Sequence, residues 1–163
     1  MIVVSDTSPI SALFRIGYIH LLHALYGKVI IPTTVQQELN ELVNWGYDPQ
    51  QIFLQPWVEV HQCQRDDFYF HLCSELDEGE AEAIALAKNI DADILLIDEL
   101  KGRKIAVQEN LKIVGVLGVL LDAKEMGLVD AVKPMVDDLI HIANFRIDVH
   151  LYYTVLTLAN EDV

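Results

Sequence analysis

Residues 94–99, Ile94-Leu95-Leu96-Ile97-Asp98-Glu99, decide the fold. Four consecutive aliphatic residues stop abruptly at two acids, the pattern of a short strand buried on both faces whose carboxyl end opens into a loop. The chain begins the same way. Ile2-Val3-Val4 runs into Ser5-Asp6-Thr7-Ser8-Pro9, where side-chain oxygens can cap a helix and Pro9 suits its first turn. Lys28-Val29-Ile30-Ile31 is a third such run, followed by Pro32-Thr33-Thr34 and a helix carrying Val35, Leu39 and Leu42 on one face, with Glu38 placed near its start. Strands that alternate with helices indicate a parallel sheet.

The remaining segments extend the alternation. Leu13, Ile16, Ile19, Leu22 and Leu25 recur at spacing three, broken at Gly17-Tyr18 into two short helices that end at Gly27. Residues 44–56 read as a loop, Trp57-Val58-Glu59-Val60-His61 as a strand, and Gln62 to Leu76 gives no clear reading. Asp77-Glu78-Gly79-Glu80 opens a helix whose small apolar face is Ala81, Ile84, Ala85 and Ala87. Beyond Asp98 the pattern predicts a helix over 101–109, a last strand at Lys112-Ile113-Val114, and an apolar helix over 116–126. Two further helical stretches, 131–144 and 148–159, are expected to cover the sheet or build an interface. No internal repeat or linker divides residues 1–163, so the expectation is one three-layer α/β domain with the strand at Ile2 lying centrally beside 94–97.

Composition narrows the function classes. A chain of 163 residues that is 52% hydrophobic can bury a core without staples. Its longest apolar stretch, Ile113 to Leu121, is interrupted by Gly115 and Gly118 and is too short to cross a bilayer of roughly 30 Å. The N-terminus has no basic region and reaches Asp6 too early for a secretory segment, which predicts a cytoplasmic protein. Cys63 and Cys73 are too few for a disulfide framework and read as free thiols, and the His61-Gln62-Cys63 and His71-Leu72-Cys73 pairs lack the usual zinc-ligand spacings. The formal net charge of -14 opposes sequence-independent attraction to nucleic acid and suits a basic protein partner.

Four acids stand out by position. Asp6 and Asp98 directly follow strands, where open parallel sheets gather functional groups, and Glu38 and Glu80 are placed early in their helices. Carboxylates that converge repel one another unless a cation compensates them, and Mg2+ or Mn2+ favours such oxygen ligands. Glu82 and Glu99 are the near-neighbour alternatives. Glu82 lies about 200° around the helix from Glu80, so the two should not share a face.

The ordered motifs are similar to something known. Ser5-Asp6-Thr7-Ser8-Pro9-Ile10, Pro32 to Leu39, Leu76 to Ile84, Leu95 to Glu99, Gly102-Arg103 with Ala106, Gly115 to Leu121 with Ala123-Lys124, and Asn144-Phe145-Arg146 resemble, in order, a family of prokaryotic PIN-like proteins. The resemblance spans nearly the whole chain. It implies the PIN fold, a mainly parallel central sheet flanked by helices, and the activity class of Mg2+- or Mn2+-dependent ribonucleases, many of which are toxins paired with an antitoxin protein. On it, Asp6, Glu38, Glu80 and Asp98 fall on the family's acidic positions as metal-holding and catalytic residues. Ser8, Lys101 and Arg103 become candidates for contacting single-stranded RNA or its phosphates. Val116 stands where the family commonly has threonine, which removes a hydroxyl.

Rival readings are separable. A PIN-like module that binds without cleaving is favoured by the net charge. An aspartyl phosphotransferase would suit Asp6-Thr7 but lacks a second acid two residues on and a later strand-end lysine. A nucleotide-binding fold lacks both glycine-rich phosphate motifs. A homodimer or a partner-bound state, with the C-terminal helices or Tyr152 and Tyr153 at the contact, completes the expectations.

Overall fold

Five short strands pair side by side, all parallel, in the order β3-β2-β1-β4-β5. The computed structural model describes residues 1–161. The strands are β1 (Val3–Ser5), β2 (Val29–Pro32), β3 (Val58–His61), β4 (Ile94–Leu96) and β5 (Ile113–Val114). β1 is central and pairs with β4 in the register Val3 to Ile94, Val4 to Leu95 and Ser5 to Leu96. Both strands are fully buried, as expected of a parallel sheet covered on both faces.

The two-residue period of the strands sorts the core into two layers. Val3, Val29, Ile31, Ile94 and Leu96 face one apolar cluster, while Val4, Ile30, Leu95 and Ile97 face another. The first is closed by helices α1 (Thr7–Arg15), α2 (His20–Tyr26), α3 (Thr33–Leu39), α8 (Val116–Glu125), α9 (Lys133–His141) and α10 (Val149–Leu158). The second is closed by α5 (Asp67–Cys73), α6 (Glu78–Asn89) and α7 (Leu100–Gln108). The domain is a three-layer α/β sandwich with the sheet in the middle.

Three segments differ from the sequence reading. The stretch 62–76 contains α5, whose first turn is held by the Asp66 side chain accepting from Tyr69 N at 3.0 Å. The expected loop 44–56 holds a one-turn helix, α4 (Gln50–Phe53), that buries Ile52. Glu38 sits at the end of α3 rather than near its start, because the α-helix gives way to a 3-10 helix over Asn40–Trp45. The break at Gly17 is real, with φ 82°, a conformation that glycine adopts without steric cost.

The C-terminal helices belong to the core. Met135, Val136, Leu139 and Val155 are all nearly inaccessible. Glu161 fastens this unit: its carboxylate accepts from Val132 N at 2.7 Å and Lys133 N at 2.9 Å, at the start of α9, and from Lys124 Nζ at 3.0 Å on α8. Glu161 therefore supplies the cap that α9 lacks locally. Replacing Glu161 with alanine leaves those amides unpaired and should lower the unfolding free energy in urea by about 1–3 kcal/mol. An unchanged midpoint would show that the cap contributes nothing.

Candidate carboxylate site

The β1–β4 register brings the two strand-end acids to one edge of the sheet. Asp6 N donates to Leu96 O at 2.9 Å, which locks the start of α1 to the end of β4. Asp6 is only 5% exposed. Asp98 follows β4 and is held on both oxygens: Oδ1 accepts from Val116 N at 2.8 Å and Oδ2 from the Ser8 hydroxyl at 3.2 Å. The contact to Val116 comes from its backbone amide, so it does not need the family's threonine side chain.

Glu38 and Glu80 arrive on α3 and α6, one from each helical layer. The Thr7 hydroxyl donates to Glu38 Oε2 at 3.1 Å, tying α3 to α1. Glu80 lies in the first turn of α6, where its backbone N–H donates to the Asp77 carboxylate at 2.8 Å. Its side chain is nearly buried, and Oε2 has no hydrogen-bond partner among the described residues. All four acids line one cavity of about 550 Å³.

The other sequence candidates fall into distinct places. Ser8 lines the cavity, and its hydroxyl serves Asp98 rather than capping α1. Arg103 lies beside Asp98 in an adjoining cavity and donates from Nη1 to Ile97 O at 3.0 Å. Lys101 is exposed and lines neither cavity. Glu99 reaches the carboxylate cavity. Glu82 is turned away into a separate pocket, 3.8 Å from Arg65 Nη2.

Sequence reasoning missed several residues of the site. Asp77 lines the cavity as a fifth acid, and its capping role concealed it. Asn144, Phe145 and Arg146, noted in the sequence only as a family-like motif with no role, reach the same cavity from the loop between α9 and α10. Asn144 takes φ 54°, a left-handed turn that asparagine tolerates, and Arg15 holds the loop by donating to Ile142 O at 2.8 Å and Ala143 O at 3.1 Å. Arg146 is the cation among the residues lining the carboxylate cavity.

Burial and crowding alter the charge states. Burial pushes Asp6 up to about 7 against the hydrogen bond from the Thr7 backbone, and the charges of Glu38, Asp77 and Asp98 add to the rise. Glu80 is pushed up to about 8 by burial, by its hydrogen bond with the Asp77 side chain, and by the charges of Asp77, Asp6 and Glu99. Burial also raises Glu38 and Asp98, with Thr7 opposing it at the first and Val116, Ser8 and Arg103 at the second.

These groups fit a hard divalent cation by their chemistry: the donors are oxygens, and Glu80 Oε2 is buried without a partner. Among the described residues no three acids, histidines or cysteines are closed around a single point as a finished metal cage. The carboxylates surround a space rather than a point.

The raised carboxyls set the pH dependence of metal-free stability. A carboxyl whose folded pKa lies above its unfolded value binds its proton more tightly when folded, so stability is greatest below the unfolded value, about 4, and declines as pH rises towards 7–8. Asp6→Asn should therefore stabilise the metal-free protein at pH 8 by on the order of 3 kcal/mol, and the gain should vanish near pH 4. Urea midpoints at the two pH values check it. A variant less stable than wild type at pH 8 would contradict the assigned burial cost.

Comparison with family models agrees with the fold. A family model, DUF3368, described as a PIN domain, matches residues 2–161. A solved PilT N-terminus domain protein from the hyperthermophilic archaeon Sulfolobus solfataricus P2 is similar, with a TM-score of 0.48 and 17% identity, covering 76% of this chain and 93% of that one. No curated protein matches. Matched by the model from its second residue to the last one described, the chain belongs to the DUF3368 family of PIN domains.

Proposed function

We propose that this chain is a divalent-metal-dependent ribonuclease that hydrolyses phosphodiester bonds of single-stranded RNA at the carboxylate cavity. PIN domains are nucleases as a class. The observation that carries the finer reading is the meeting of Asp6, Glu38, Glu80 and Asp98, from four separate elements, around one cavity at the carboxyl edge of the sheet. Mg2+ or Mn2+ held there supplies Lewis-acid stabilisation of charge on the phosphate and promotes the ionisation of water.

The protein's own groups then have separable roles. Asp6 and Glu80 offer the most buried carboxylates, while Glu38 and Asp98 are pre-oriented by Thr7, Ser8 and the Val116 amide. Arg103 holds the Ile97 carbonyl beside Asp98 and so steadies the loop that carries it. Arg146, on the cavity wall, supplies a guanidinium for the RNA backbone. Lys101 would contact only strand extending outside the cavity.

The net charge of -14 favours a second reading, a PIN module that binds a partner without cleaving. It also supports a basic antitoxin protein as that partner. Self-association is supported by Tyr153, which is 44% exposed on α10. Tyr152 instead donates internally to Asp137 at 2.6 Å.

Cleavage of a labelled single-stranded RNA in Mn2+ tests the proposal. Wild type should cut, and Asp98→Asn should lose activity by at least about 100-fold with the fold retained. Arg146→Ala should raise KM and reduce the slope of log affinity against log salt by about 0.7. Metal binding without cleavage of any of a varied RNA set would favour the binding module. Equal cleavage by Asp98→Asn would reveal a contaminant and remove the ribonuclease reading.

A further inference from the structure

The eight glycines fall into two groups that use the absent side chain differently. Gly17, Gly27, Gly46 and Gly127 take left-handed φ values and have nothing within 4 Å of the place a Cβ would occupy. Gly79, Gly102, Gly115 and Gly118 have no such φ. At three of these, a Cβ would land on an acid of the cavity: 1.9 Å from Glu38 Oε1 at Gly79, 2.7 Å from Glu80 Oε2 at Gly102, and 2.8 Å from Asp98 Oδ1 at Gly115. Real Cβ atoms do not approach oxygen so closely.

Backbone conformation does not call for glycine at these places. Gly79 and Gly102 lie in the first turns of α6 and α7, where other residues adopt the helical backbone at least as well, and Gly115 has φ -93° and ψ 175°, open to any residue. What the missing side chains provide is room. Each glycine belongs to an element other than that of the acid it accommodates, so its Cα forms a wall against a carboxylate that arrives from elsewhere. One of these carboxylates carries the orphaned Oε2 of Glu80, which is buried beside Gly102, while Glu80 itself lines the cavity.

We infer that Gly79, Gly102 and Gly115 are positioning residues, each fixing one of Glu38, Glu80 and Asp98 where it can serve a common divalent cation. The inference rests on the metal-site reading for its consequence and on the glycine geometry for its cause. Gly79 is the most selective probe, because the three nearest atoms to its added Cβ all belong to the Glu38 carboxyl group. The other two also press on structural neighbours: Ile97 Cδ1 at 2.8 Å from the Gly102 position and Arg103 Nη1 at 2.6 Å from the Gly115 position.

The test compares wild type with Gly79→Ala and Gly102→Ala by calorimetric titration with Mn2+ alone, by thermal unfolding, and by a crystal structure of metal-free Gly79→Ala. Alanine relieves a helical glycine, so Gly79→Ala should unfold at an unchanged or higher temperature while Mn2+ affinity falls about 10-fold or more. In its crystal structure the Glu38 carboxylate should have left its position and its bond to Thr7. Loss of stability in step with loss of affinity would give the glycine a merely structural role and overturn the inference. Wild-type Mn2+ affinity in Gly79→Ala, or an unmoved Glu38 in its structure, would also overturn it. If wild type itself binds no Mn2+, the metal reading fails, and the crystal structure alone decides whether Gly79 positions Glu38.

Discussion

The pairing of β1 with β4 is the constraint from which the site follows. With Ser5 opposite Leu96, the chain leaves both strands at the same edge, and the next residues are forced together: Asp6 N bonds Leu96 O, and Ser8 reaches Asp98. A slip of one residue would turn Val4 and Leu95 out of their cluster, so the apolar cores on the two faces fix the register and thereby the spacing of the acids. Placing carboxylates at this edge has an energetic cost. Asp6 gives up hydration and meets the charges of Glu38, Asp77 and Asp98, a cost that the apolar burial of β1, β2 and β4 offsets.

The legible part of the fold was the part with periodic apolar runs. Ile94 to Ile97 and Ile2 to Val4 are short aliphatic runs that stop at or close to acids in a chain that alternates with helices, which reads as buried strand, and the expectation of β1 beside β4 comes from Asp6 and Asp98 sharing a strand-end position. α5 was not legible because its turn-forming Asp66-Asp67 is followed by a mixed run, Phe68 to Cys73, whose buried members Tyr69 and Leu72 are too few to set a period. α4 is a single turn, below the length at which periodicity exists. Glu38 was displaced within its helix because nothing in Asn40-Glu41-Leu42 marks the change from α to 3-10 geometry.

Within the site, residues at strand ends could be read from the chain, whereas those brought by loops could not. Asp6 and Asp98 follow aliphatic runs directly. Asp77 was masked by its role as a cap, and Arg146 reaches the cavity only because Asn144 turns the backbone and Arg15 anchors the loop from 127 and 128 residues away. The glycines of the family-like motifs show a further limit: Gly79, Gly102 and Gly115 read as helix starts or turns in one dimension, and only in three dimensions does each meet the acid of another element.

If a divalent cation completes this carboxylate site, its binding must expel protons, and that release can be counted. Asp6, near 7, and Glu80, near 8, hold protons around neutral pH that a cation must displace. Calorimetric titration of wild type with Mn2+ at pH 6.5, in two buffers of different ionisation enthalpy, counts the protons expelled. Release should be measurable at pH 6.5, smaller at pH 9, and smaller in Asp6→Asn than in wild type. Mn2+ binding with no proton release and the same affinity in Asp6→Asn, or no Mn2+ binding at all, would contradict a site completed by metal.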